Sequence, residues 1–119
     1  MITALYHNPR CSKSRGTLQL LREHGIEPEI VEYLEQPPSP AQLRELLRLL
    51  GTGPRSLLRT GEPEYDVLGL ADISLDDDTL IAAMAANPRL IERPVFVHGG
   101  RAVVGRPPER VLELLNRGD

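Results

Sequence analysis

Apolar and polar positions follow two rhythms along this chain, and the changes of rhythm mark out its elements. Residues 2–6 are short, apolar and partly β-branched, and Asn8-Pro9 stops them, which predicts a buried strand. A helix is predicted from Ser12 to His24, with Leu18 and Leu21 on one face and Gly25 just past its end. Ile30, Val31 and Tyr33 then predict a second strand over residues 29–34. Strand, helix and strand in so short a span form a βαβ unit, whose two strands should be parallel. After the break at Gln36-Pro-Pro-Ser-Pro, Ser39, Pro40 and Gln42 have capping-box spacing, and Leu43, Leu46, Leu47 and Leu50 fall at i, i+3, i+4 and i+7. Gly51 ends that helix.

Residues 51–70 look irregular, with short helical pieces around 55–59 and 65–69. Ser74 with Asp77 suggests the cap of a further helix that runs to Ala86, where Asn87-Pro88 stops it. Asp76, Asp77 and Asp78 suit the positive end of that helix and need no catalytic or metal role. Residues 94–98 and 101–104 read as two strands of a hairpin turned by Gly99-Gly100. Pro107 opens a last helix that carries Val111, Leu112 and Leu115 inward. The order is β-α-β, a helical block, then β-β-α. Without the block, this is the thioredoxin arrangement. The fold expected is α/β: a mixed four-stranded sheet with flanking helices and a helical insertion at about residues 37–90. One domain over residues 1–119 is expected, since a chain this size buries enough surface for a single core.

Composition narrows the function. Fourteen basic residues against 17 acidic ones give a net charge of −3, which argues against nucleic-acid binding. Only Lys13 among the basic residues is lysine; arginine suits bidentate oxyanion binding, while the abundant Leu, Gly and Pro fit a general compositional bias equally well. No apolar stretch is long enough for a membrane span, and the first residues lack the charged and apolar regions of a signal peptide. A lone cysteine suits a reducing compartment, so the cytoplasm is expected.

That cysteine, Cys11, stands between the first strand and the first helix, in His7-Asn-Pro-Arg-Cys-Ser-Lys-Ser-Arg15. A helix N-terminus offers unpaired N–H groups and a positive dipole end, both of which favour a thiolate. Arg10, Lys13 and Arg15 add positive charge nearby, and the same features hold an oxyanion beside the sulfur. A lone cysteine is commonly buried and inert, but this setting points to a working nucleophile. Ser14 occupies the place of a second cysteine in Cys-x-x-Cys, so turnover has to borrow a thiol from elsewhere. Thr17 stands where a Cys-x5-Arg phosphatase loop would have its arginine. His7, His24 and His98 show no metal-ligand spacing with Cys11. His7 either polarises the thiol or ends the strand, and Ser14 and Lys13 either support the thiolate or serve the helix start.

The segment from His7 to Arg15 resembles the active-site signature of the glutaredoxin-coupled arsenate reductases, and is most similar to their compact chromosomal members. The resemblance covers nearly the whole chain, through Leu58-Arg59, Glu64-Tyr65, Leu68-Gly-Leu70, Glu92-Arg-Pro94 and Gly105-Arg-Pro-Pro-Glu109. It implies a thioredoxin-like fold with a helical insertion and a catalytic Cys11. It implies that Arg59, Arg93 and Arg106 bind arsenate and that the Arg93–Pro94 bond is cis. It further implies arsenic detoxification with glutathione as co-substrate, glutaredoxin as partner, and no bound cofactor or metal. Two other readings stand beside it. One is a glutathione-dependent thiol oxidoreductase with another substrate. The other is an RNA polymerase-binding adaptor, although the redox-sensing regulators of that kind carry Cys-x-x-Cys.

Overall fold

The computed structural model describes residues 3–115, so Ile2, the expected start of the first strand, lies outside the described residues. The chain divides into two units. One runs to Gln36 and resumes at Arg93; the other is Pro37–Glu92.

The first unit holds the sheet. Strands β1 (Ala4–Tyr6), β2 (Glu29–Val31), β3 (Val95–His98) and β4 (Arg101–Val104) lie in the order β2-β1-β3-β4. β1 runs parallel to β2 and antiparallel to β3, and β3 and β4 form a hairpin. β1 and β3 are central, and Leu5, Val95 and Phe96 are fully buried. That explains why these strands read as apolar runs rather than as alternation. The hairpin turns at Gly99 and Gly100, whose φ values of 61° and 76° are conformations that a two-residue turn requires and glycine supplies.

Helix α1 (Ser12–Glu23) crosses between β1 and β2, and Gly25 at φ 79° follows its end. One face of α1 carries the fully buried Leu21 into a core with Leu5, Phe96, Val103, Val111 and Leu114. Burying one such leucine contributes about 1.5–3 kcal/mol. The final segment winds first as a 3-10 turn at Pro108–Val111 and then as the short helix α5 (Leu112–Leu115). β2 is shorter than its sequence suggests. The amides of Glu35 and Gln36 both donate to the Glu32 carbonyl at 2.9 Å, turning the chain while Tyr33 stays fully buried.

The second unit is helical. The reciprocal capping box forms at α2 (Pro40–Leu50): the Gln42 amide donates to Ser39 Oγ at 3.1 Å and the Ser39 amide to Gln42 Oε1 at 2.9 Å. Leu43, Leu46 and Leu47 are its buried face. Helix α4 (Asp77–Ala86) packs on α2, and Arg44 joins Asp78 at 2.9 Å. Its cap is Asp76, which accepts from the Thr79 amide at 2.8 Å. Ser74 is not the cap, because its amide and hydroxyl both bond the Asp72 carboxylate. The helical pieces of the irregular stretch start at prolines, a 3-10 turn at Pro54–Ser56 and α3 at Pro63–Val67. Proline suits a first helical position because the N–H it lacks would be unpaired there. A bridge between Leu58 and Ile91, flanked by the Arg59 amide to the Leu90 carbonyl and the Glu92 amide to the Leu57 carbonyl, each 2.7 Å, ties the unit's two ends of irregular chain together.

Candidate active site

β1 ends where the cysteine loop begins. The His7 amide donates to the Val31 carbonyl at 2.9 Å and so extends the pairing with β2 by one step. Asn8 then organises the loop: its side-chain oxygen accepts from the Arg10 amide at 3.0 Å and its carbonyl accepts from the Cys11 amide at 3.0 Å. Arg15 reaches back to the Pro9 carbonyl at 3.0 Å. Cys11 is thereby set at the N-cap of α1 with extended backbone angles, and its thiol is half-buried.

The sulfur makes no ideal cap hydrogen bond, yet its surroundings favour the anion. Burial pushes the Cys11 thiol up, but the Ser14 amide, the Arg93 guanidinium and the Lys13 amide outweigh burial, and the net pKa lies below the ordinary 9.0. Arg93 stands just before β3 at the cis Arg93–Pro94 bond, the isomer that the resemblance implies. Its guanidinium interacts with both Cys11 and Tyr33; burial lowers its pKa, and those two partners more than reverse the effect. Arg106 follows β4, also ahead of a cis proline, and donates to the Arg93 carbonyl at 3.2 Å. Between β4 and Arg106 lies Gly105, where a Cβ would meet Thr17 Oγ1 at 3.0 Å and Pro94 Cγ at 3.1 Å. A side chain here would have to push Thr17 or Pro94 aside by a few tenths of an ångström.

His7 and Ser14 sit beneath the loop. His7 is 6% exposed and Ser14 is fully buried, with Nδ1 and Oγ 2.6 Å apart. Ser14 Oγ also accepts from the Asn8 amide at 3.0 Å. Burial lowers the His7 pKa from 6.5, with Glu32 opposing and Arg22 and Arg15 assisting. The imidazole is therefore neutral at pH 7, and one proton lies between Nδ1 and Oγ. This pair locks the first turn of α1 to the end of β1, which fixes where the Ser14 amide points.

Five of the six residues singled out from sequence thus fall in the sheet unit: Cys11 with Arg93, His7 with Ser14, and Arg106 on the Arg93 carbonyl. Arg59 belongs to the other unit, and its charge is engaged there. It reaches Glu92 at 3.0 Å and Glu62 at 3.5 Å, and Arg89 joins Glu62 at 2.9 Å. Sequence reasoning passed over these carboxylates and Tyr33. For Tyr33 a signal existed, since it lies two residues past Val31, where a parallel strand beside β1 must arrive level with the loop.

A half-buried thiol at a helix N-terminus, beside an arginine next to a cis-proline, on a sheet of order β2-β1-β3-β4, defines a thioredoxin-like protein with a single cysteine. Comparison with known proteins narrows that class. Residues 6–114 match the ArsC family, and the chain belongs to it. It is similar to YfgD of Escherichia coli (strain K12), an uncharacterised protein, at 56% identity over 93% of this chain and 94% of that one. An arsenate reductase of Neisseria meningitidis serogroup A is 44% identical over 93% of this chain and 96% of its own. The structure of an arsenate reductase from Vibrio cholerae superposes with a TM-score of 0.92 at 50% identity, covering 94% of this chain and 96% of that one.

Proposed function

We propose that the protein reduces arsenate to arsenite through a covalent adduct on Cys11, with glutathione and glutaredoxin as reductants in a reducing cytoplasm. The observation that carries this reading is the Cys11 sulfur facing the Arg93 guanidinium and the first amides of α1. The same groups that stabilise a thiolate also suit an oxyanion brought against it. Relatives from Neisseria meningitidis and Vibrio cholerae that bear the name arsenate reductase support the choice of anion.

Arsenate enters beside the α1 N-terminus, where Arg93 and Arg106 neutralise it. Arg59, which the family motif also implicates, pairs with Glu62 and Glu92 within its own unit. The thiolate attacks arsenic, and one arsenate oxygen leaves as water with protons from solvent, giving a sulfur–arsenic(V) bond. Glutathione thiolate attacks the Cys11 sulfur. The sulfur–arsenic bond breaks, its electron pair passes to arsenic as arsenic(III), and Cys11 is left in a mixed disulfide with glutathione. Arsenite departs, and glutaredoxin removes the glutathionyl group by thiol exchange. The buried His7–Ser14 pair keeps the Ser14 amide on the sulfur throughout.

Two measurements test this. Intact mass after incubation with glutathione and arsenate, without glutaredoxin, is expected to show one glutathione on Cys11 that is absent when arsenate is omitted. An adduct that forms equally without arsenate contradicts the mechanism. Arg93→Ala and Arg106→Ala are each expected to lower arsenate turnover about 10²–10³-fold, as loss of an oxyanion donor does; near-wild-type turnover removes them from the anion site.

A further inference from the structure

Tyr33 is fully buried, and its phenol oxygen has no solvent exposure to speak of. Phenylalanine would fill the same volume without burying a hydroxyl, and a buried hydroxyl costs about 1–3 kcal/mol unless a polar group answers it. The sheet register brings one such group near. Tyr6 at the end of β1 pairs with Val31 on one side and with Val95 on the other. β2 is parallel to β1, so two residues onward brings Tyr33 level with Asn8. β3 is antiparallel, so two residues backward brings Arg93 to the same level. Tyr33 and Arg93 therefore flank the point where β1 becomes the cysteine loop, and the Arg93 guanidinium interacts with the Tyr33 phenol as well as with the Cys11 sulfur.

We propose that Tyr33 is a positioning residue whose phenol oxygen accepts from the Arg93 guanidinium and holds it against the Cys11 sulfur. An arginine loses considerable rotamer freedom when it is fixed in one geometry. A partner on a buried, rigid ring meets that cost before any anion binds, so the guanidinium is already aimed at the sulfur. The proposal rests on the reading of Arg93 as the group that supports the thiolate. It concerns the resting enzyme and does not depend on which oxyanion is the substrate.

The test is the pH dependence of Cys11 alkylation by iodoacetamide, measured without arsenate in wild type, Tyr33→Phe, Arg93→Ala and the double variant. Tyr33→Phe is expected to move the alkylation midpoint toward higher pH and to slow alkylation on the order of threefold at a fixed pH below that midpoint. In the Arg93→Ala background the same change is expected to do nothing further, because the phenol acts through Arg93. An unchanged profile for a folded Tyr33→Phe protein overturns the proposal, as does an equal effect with and without Arg93. If Tyr33→Phe does not fold, Tyr33→Met carries the same comparison with an adaptable apolar side chain. Arsenate plays no part in the readout, so failure of the arsenate reading and failure of this proposal appear in different experiments.

Discussion

His7 shows how one side chain ties chemistry to stability. Its imidazole is buried against Ser14, and burial lowers its pKa from 6.5. The unfolded chain therefore takes up the proton first. Stability from a neutral His7 is fully present above about pH 6.5 and is lost as pH falls below that value toward the lower folded pKa. Urea denaturation at pH 7.5 and pH 5.5 is expected to show the loss in wild type and a smaller loss in His7→Gln; equal losses contradict this origin. At this scale the setting of Cys11 was legible in sequence because it is local, a strand end meeting a helix start, while the cation that faces it, Arg93, comes from a distant part of the chain. The pairing of Arg59 with Glu92 was not, because it needs Leu58 to bridge to Ile91 first. Tyr33 was read as a strand residue for the same reason, since its relation to Arg93 exists only across β1.

Among elements, the α2 capping box was legible to the residue, since Ser39, Pro40 and Gln42 act within a single turn. The start of α4 was misassigned because Ser74 and Asp76 are both competent caps, and the bond from Ser74 to Asp72 decides between them. A tight joint in the sheet unit is Gly105 against Thr17 and Pro94. Thr17 is fully buried and held by its hydroxyl to the Lys13 carbonyl at 2.9 Å, so it cannot swing aside freely. Gly105→Ala is expected to cost about 1–3 kcal/mol in chemical denaturation, as overpacking does. It should also lower turnover by shifting Arg106, the next residue. A variant as stable and active as wild type would show that the joint yields.

For the whole molecule, element order was enough to reach the thioredoxin-like fold, because βαβ and ββα leave few ways to assemble four strands. The net charge of −3 leaves room for a local positive setting, because the Arg93 guanidinium and the first amides of α1 face Cys11. Membership of the ArsC family and the thiolate setting of Cys11 lead to one claim, that this sulfur attacks arsenate. The most direct test is arsenate-dependent NADPH oxidation with glutathione, glutaredoxin and glutathione reductase, comparing wild type with Cys11→Ser. The account expects turnover in wild type that requires arsenate and disappears in the variant. A folded, fully reduced wild-type protein with no arsenate-dependent oxidation, or a Cys11→Ser protein that still turns over, would contradict it.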